Sequence, residues 1–499
     1  MSAMHRITFD CSWPLHGRAA SRELERLTQV NLAPHALMQR AGLACARLAR
    51  AIAPHARSAW VACGPGNNGG DGFEAAVHLQ RAGLKVHLTW TGAEHSPADA
   101  QAARERALTS GLVIQPLPPE RFDVALDALL GLGGSLAPER GGTARMVDWL
   151  TQMHARAVPV LAIDLPSGLN ADTGCSAAAA PGPSVRHTLS LLSLKPGLFT
   201  AQGRDLAGTV WFDDLGSNLS ALPPTATLVG ADRAGAPPRL QAPHASHKGS
   251  FGDVVIVGGQ TVHSGTRMAG AALLAARAAL HHGAGRVYVS LLGEADLSLD
   301  LGQPELMFRS VSALQALESM HVTVAGCGGG QAMADVLPEL LARPHPLVLD
   351  ADGLNAVATD AALRNALVQR SRMGAATVLT PHPLEAARLL GGSAAEVQSD
   401  RLRAAQALAD QFTAVVVLKG SGTVVTAPEA VPAINPTGNA LLATAGTGDV
   451  LAGMVGAALA QGLDAHQAAM HAVFVHGARA QRWAATHPDR LPSASDLLS

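Results

Sequence analysis

At 499 residues the chain exceeds what one hydrophobic core usually serves, and 48% hydrophobic against 3% aromatic residues calls for layers packed from Ala, Val, Leu and Gly. A formal charge of −2 without a basic block gives no support for nucleic acid, and no run of ~18 apolar residues or signal-like start calls for a membrane. Five scattered cysteines (Cys11, Cys45, Cys63, Cys175 and Cys327), never spaced Cys-x-x-Cys, argue against a disulfide framework and a zinc site and fit a reducing cytoplasm.

In the first half, residues 59–63, 85–90, 124–130 and 160–163 read as buried strands, with helical patterns at 73–82 and 144–153. That alternation predicts parallel strands with crossover helices, a Rossmann-like doubly wound α/β sheet whose ligands sit beyond the strands' carboxyl ends. Residues 217–245 are rich in Pro, Ala and polar residues and read as a linker, so the expected domains are 1–228 and 229–499. The second half repeats the α/β alternation with strands at 254–257, 322–325, 347–349, 377–379 and 415–418.

The strand at 59–63 runs into Gly64-Pro65-Gly66-Asn67-Asn68-Gly69-Gly70-Asp71-Gly72. Glycines there let backbone N–H groups approach a phosphate, or simply make a tight strand-to-helix turn. The spacing satisfies G-x-G-x-x-G, but the next strand ends His87-Leu88-Thr89-Trp90 without the acid that a dinucleotide site wants, which weakens a dehydrogenase reading. Two more strand ends carry acids: Asp127 within an apolar run, and Asp164 opening Asp164-Leu165-Pro166-Ser167-Gly168-Leu169-Asn170-Ala171-Asp172-Thr173-Gly174. Either could cap a turn, yet both fall at the sheet edge where the glycine loop lies. Oxygen ligands from Asn68, Asp127 and Ser167 would suit a hard cation.

These motifs, with Leu37 to Gly42 before them, resemble the NAD(P)H-hydrate epimerase domain of the YjeF type over about residues 17–216. The resemblance implies that Asn67, Asn68, Gly69, Gly70 and Asp71, with Gly131, Leu132, Gly133, Gly134, Ser135, Leu136 and Ala137, bind the hydrate. It makes Asn68, Asp127 and Ser167 ligands of a potassium ion (K+) and Asp164 the catalytic contact to the reacting ring. The chain departs from the family at Gly131-Leu132-Gly133, usually Gly-Thr-Gly, and at Asn170, usually Asp.

The second half carries His247-Lys248-Gly249-Ser250-Phe251-Gly252, Thr380-Pro381-His382-Pro383-Leu384-Glu385, Leu418-Lys419-Gly420-Ser421-Gly422-Thr423 and Asn435-Pro436-Thr437-Gly438-Asn439. Last comes Gly446-Thr447-Gly448-Asp449 before an apolar helix at 450–460, where free N–H groups would form a nest for a phosphoryl group. Asp449 beside it would accept a hydroxyl proton, or merely cap the helix. No P-loop pattern is present. In this order the motifs resemble the ribokinase-like superfamily, in its NAD(P)H-hydrate dehydratase branch, across residues 244–497. The resemblance implies a ribokinase-like α/β sandwich that uses ADP or ATP with Mg2+. Lys419, Gly420, Ser421, Gly422, Thr423 and Gly448 would meet the nucleotide. Asp449 would be the base and contact substrate, and His382, Gly330 and Ala271 would line the substrate site. Here Cys327 stands where that family has Pro in a Gly-Pro-Gly-Leu-Gly turn, and Ala445 where glycine is frequent.

The expected protein is therefore a fused epimerase and dehydratase acting on NADHX and NADPHX. It is expected in the cytoplasm as a homo-oligomer, without nucleic-acid or membrane partners. The rivals are a hydroxymethylpyrimidine or sugar kinase, or a working kinase-like domain behind a non-catalytic N-terminal ligand-binding module.

Overall fold

The computed structural model describes residues 4–134, 136, 142–176, 182–236, 239, 242–262, 265, 267–294, 297–314 and 321–498. The chain divides into two compact units, Met1–Thr8 with Trp13–Ala226 and Phe9–Ser12 with Thr227–Ser499.

Among the described residues the first unit carries an eight-stranded sheet. Its order is His5–Arg6, Thr209–Asp213, Val185–Leu191, Pro159–Ile163, Val124–Ala128, Ser58–Cys63, Lys85–Trp90, Ile114–Gln115. All pairs are parallel except the one between His5–Arg6 and Thr209–Asp213. Both faces are covered, so side chains alternate between two cores: Trp60 and Ala62 meet Trp149 and Met153, while Val61 and Cys63 meet Leu48 and Phe73. The strand expected over 124–130 ends at Ala128, where the Asp127 carboxylate accepts the Leu129 N–H at 3.2 Å.

The helix expected from residue 73 begins at Asn67 and runs to Arg81, so most of the glycine loop is helix. Glycine is required by close approach rather than by φ. A Cβ on Gly69 would lie 2.1 Å from the Gly64 carbonyl oxygen, and one on Gly72 2.5 Å from the Ala128 methyl.

The second unit's sheet runs Met307–Phe308, Arg286–Gly293, Asp253–Thr261, Val322–Ala325, Leu347–Leu349, Thr377–Leu379, Val415–Leu418, Val424–Thr426, Ala433–Ile434. Only the pairs on either side of Val424–Thr426 are antiparallel. Helices Ala269–His281 and Thr447–Ala460 cover one face, and Ala332–Ala342, Pro383–Leu390 and Arg401–Phe412 the other. The low aromatic content has its purpose here: Gly453 leaves no room for a Cβ, which would sit 2.0 Å from the Ala275 carbonyl oxygen.

The expected linker is partly built into this unit. Thr227 and Leu228 pair in parallel with Ala433 and Ile434, and Ala231–Ala234 is helical. Phe9–Ser12 is laced to the same segment. The Ala231 N–H donates to the Phe9 carbonyl (2.8 Å), and Ser12 Oγ accepts from the Gly230 N–H (2.9 Å) and donates to Asp232 (2.8 Å).

Candidate active sites

In the first sheet, Ser58–Cys63 is followed along the chain by its neighbour on one side and then by Val124–Ala128 on the other. Loops leaving these two strands must diverge, and a doubly wound sheet opens its ligand crevice at that point. A cleft of about 460 Å³ lies there. Asn67, Asn68, Asp71, Gly131, Leu132, Gly133, Gly134 and Asp164 all line it. Gly69 and Gly70 do not: both are buried, the first against Gly64 and the second against the Met38 side chain. Leu136 is buried as well, packed on Gly168 rather than lining the cleft. Ser135 and Ala137 lie outside the described residues.

Asp127, 2% exposed, is held by Ser167, whose Oγ and N–H donate to its two carboxylate oxygens at 2.6 and 2.9 Å. The Leu130 N–H donates to Ser167 Oγ (2.8 Å), and the Asn68 amide donates to the Leu130 carbonyl (3.0 Å). Burial pushes the Asp127 carboxyl up, against the pull of the Ser167 hydrogen bonds. No salt bridge reaches it among the described residues. Asn68 Oδ1, Asp127, Ser167 Oγ and the Leu130 carbonyl make an all-oxygen donor set around a buried carboxylate, which fits a hard cation.

Asp164 takes a left-handed φ of 66°, a conformation rare outside glycine that Asp tolerates better than most and that recurs at functional sites. Its Oδ1 accepts the Leu191 N–H at 3.1 Å and an ion pair from Lys195 Nζ. Lys195, 1% exposed, also donates to the Leu191 carbonyl at 2.7 Å. This lysine was missed in the sequence, although a charge inside the apolar run Leu191-Leu192-Ser193-Leu194-Lys195 is a signal. Asp71, Glu25 and Asp99 share the cleft. Burial, then the Asp164 charge, pushes the Asp71 carboxyl well above the usual range and raises Glu25 in the same way. The cleft thus sets Asp164, ion-paired to Lys195, beside two carboxyls whose proton affinity burial raises.

In the second unit four consecutive parallel strands end at one edge, and each delivers one polar group. Val322–Ala325 leads to Cys327, Leu347–Leu349 to Asp350, Thr377–Leu379 to Thr380, and Val415–Leu418 to Lys419. Neighbouring strands lie ~4.8 Å apart, so these side chains converge. Asp350 Oδ1 accepts from Lys419 Nζ (2.8 Å) and Thr380 Oγ1 (2.7 Å). Glu385 lies 4.0 Å from the same ammonium. Lys419 therefore sits in the carboxylate cluster itself, close to Gly448, where a Cβ would meet its Nζ at 3.4 Å. Asp350 and Glu385 carried no role in the sequence reading, although Asp350 stands at a strand end like Asp127 and Asp164.

Helix Thr447–Ala460 begins at Gly446 with φ 89° and has no side-chain cap. Asp449 thus does not cap the helix; it sits in a first turn whose N–H groups lack helical acceptors. Burial, with the Asp350 charge adding to it, raises its carboxyl to about 7. Gly330 donates its N–H to Asp352 (2.8 Å), and Ala271 sits under the same turn, 2.9 Å from where a Gly328 Cβ would be. His382 caps Pro383–Leu390: its Nδ1 accepts the Leu384 N–H at 3.1 Å, and Nε2 lies 3.2 Å from Glu385. Its role in the fold is thereby explained without substrate. Gly420, Ser421, Gly422 and Thr423 form the turn after Lys419, with Gly420 at φ 138°.

Two α/β units, each gathering acids at the carboxyl ends of parallel strands, define a two-site enzyme. Family models match both: "YjeF-related protein N-terminus" over residues 34–197 and "NAD(P)H-hydrate dehydratase" over 254–497. The Escherichia coli bifunctional NAD(P)H-hydrate repair enzyme is 38% identical over 491 residues, covering 96% of this chain and 90% of that one. The Neisseria meningitidis ADP-dependent (S)-NAD(P)H-hydrate dehydratase is 42% identical over 240 residues, covering 47% of this chain and 78% of that one. A crystal structure of the Bacillus subtilis ADP/ATP-dependent NAD(P)H-hydrate dehydratase with ATP/Mg2+ is 29% identical, at a TM-score of 0.44, over 53% of this chain and 93% of that one. The chain belongs to the bifunctional NAD(P)H-hydrate repair enzymes. Its second unit is the one that matches the NAD(P)H-hydrate dehydratase model, and a small-molecule kinase with an inert N-terminal module is not favoured.

Proposed function

We propose that the first unit interconverts the two epimers of hydrated NADH and NADPH, and that the second dehydrates one of them at the expense of ADP or ATP. The observation that carries this reading is Asp449, a carboxyl raised to about 7 in the first turn of a helix beside Lys419. A base poised near the working pH next to an anion-binding helix end suits transfer of a phosphoryl group to a hydroxyl. Asp449 takes the proton from the ring hydroxyl as that oxygen attacks the terminal phosphorus of the nucleotide. Phosphate then leaves with the carbon–oxygen bond, and loss of a ring proton restores the dihydronicotinamide. Lys419 and the Gly446–Gly448 turn orient the transferring group. Gly420 to Thr423 hold the rest of the nucleotide, and Ala271, Gly330 and His382 border the substrate. Mg2+ bound with the nucleotide would neutralise its phosphate oxygens.

In the first unit the hydroxyl departs as water, taking a proton, and water returns to the other face of a cationic ring. Asp164, fixed by Lys195, sits beside that ring, stabilises its charge and carries the proton of the returning water. Asp71 and Glu25, whose proton affinity burial raises, would donate to the departing hydroxyl. Asn68, Asp127 and Ser167 would hold K+, whose charge offsets the buried Asp127 and tightens the loops around it. The epimerase then comprises residues 1–8 and 13–226, and the dehydratase the remainder. Among the described residues no helix is long and apolar enough to cross a membrane. The scattered cysteines suit a reducing cytoplasm, which is the expected place. A homo-oligomer is the expected state.

The test is incubation of the full chain with an epimer mixture of NADHX, with and without ADP or ATP. Full return of 340-nanometre absorbance only with nucleotide supports the reading; no return with either nucleotide contradicts it.

A further inference from the structure

Cys327 is fully buried at the point where the second sheet reverses its strand order. Its Sγ lies 3.9 Å from Asp350 Oδ2. That sulfur, an Asp350 oxygen and an Asp449 oxygen all lie within 4.8 Å of one another. Asp350 is 2% exposed, and its Oδ1 is occupied by Lys419 and Thr380. Among the described residues Oδ2 receives no N–H or O–H donor, and its hydrogen bond comes from the Cys327 thiol. A thiol is a weak donor at that distance and repays little of the desolvation of a carboxylate. One ammonium is thus shared by Asp350 and Glu385, with Asp449 close by, and three converging donors await a cation.

The donor set selects the class of cation. K+ or Mg2+ would gain nothing from sulfur, whereas one thiolate and two carboxylates suit zinc. Zn–S of about 2.3 Å and Zn–O of about 2.0–2.2 Å at a tetrahedral angle put sulfur and oxygen about 3.6 Å apart, close to the separation observed. Spacing along the chain does not advertise this site, since its ligands come from three segments and include one cysteine. We propose that Cys327, Asp350 and Asp449 form a binding site for a thiophilic divalent cation, Zn2+ above all, that reversibly shuts the dehydratase. Binding releases the thiol proton to solvent and leaves a fourth position for water or a phosphate oxygen. The Lys419 ammonium competes for Asp350, which keeps the site inhibitory rather than structural. The inhibition, unlike the binding, rests on Asp449 being the base.

The test titrates Co2+ into the reduced full chain. A thiolate-to-cobalt charge-transfer band in the near ultraviolet is expected, displaced by Zn2+, lost in Cys327→Ser and weakened at least tenfold in affinity in Asp449→Asn. Circular dichroism checks folding, and Cys327→Ala serves if the serine variant fails. In wild type, Zn2+ should lower the dehydration rate at least tenfold, reversibly with a chelator. In Cys327→Ala the zinc concentration for half inhibition should rise at least tenfold. No band in wild type, or an undiminished band in a folded Cys327 variant, overturns the site. A Cys327-dependent band without inhibition overturns the inhibitory role and counts against Asp449 as the base.

Discussion

At the scale of single residues, the account turns on Asp449. Its carboxyl is raised to about 7 by burial and then by the Asp350 charge, so the free enzyme holds the base protonated below that pH. Dehydration kcat/KM should therefore fall about tenfold per unit below pH ~7 and level off above it. Asp350→Asn removes the repulsion and leaves Lys419 with Glu385 as its carboxylate partner, and both changes favour the charged form, so the acid limb should move to lower pH. A pH–rate profile checks this, and an unmoved limb would mean that another group titrates. The same shift has a stability sign. Between about pH 4 and 7 the native state binds more protons at Asp449 than the unfolded chain, so its contribution to stability declines as pH rises through that window. Asp449→Asn should cut dehydration ~100- to 10,000-fold while nucleotide still binds and epimerisation is untouched. Asp449 and Asp164 were both legible as acids at motif positions. Lys195 and Asp350 were not given roles, because what distinguishes them is the partner each meets across the sheet edge, and a partner brought by folding leaves no local mark.

At the scale of elements, strands were read well because buried parallel strands are short apolar runs, and residues 347–349, 377–379 and 415–418 fall as expected. The glycine loop reads in the sequence as a turn before a helix at 73–82, since Gly69, Gly70 and Gly72 lower helix propensity; close packing against Gly64, Met38 and Ala128 overrides that and starts the helix at Asn67. The segment Phe9–Ser12 was also beyond reach: its bonds are to residues 230–232, more than two hundred positions away, and carry no periodicity. A Cβ at Gly230 would lie 2.2 Å from the Cys11 carbonyl carbon. Gly230→Ala should therefore detach this segment at a cost of about 1–3 kcal/mol. Limited proteolysis should find new cleavage within residues 9–12, and the second unit's melting temperature should fall by several degrees. Unchanged cleavage would show that the lacing is not maintained in solution. For the same reason a fragment starting at residue 229 should melt below the second unit of the full chain.

At the scale of the whole molecule, two activities reside in two units, and each acts on what the other leaves. The dehydratase consumes one epimer; the epimerase resupplies it. Asp164→Asn keeps the size of the side chain and its acceptor for the Leu191 N–H but cannot carry a proton. The most direct measurement follows both NADPHX epimers by chromatography in the Asp164→Asn full chain with ADP or ATP. One epimer should vanish at the wild-type rate and the other persist at the slow spontaneous rate. Addition of the Asp449→Asn chain, whose first unit is intact, should then restore consumption of the second epimer. If both epimers vanish together at the wild-type rate in Asp164→Asn alone, Asp164 is only a turn residue and the division of labour between the units is wrong.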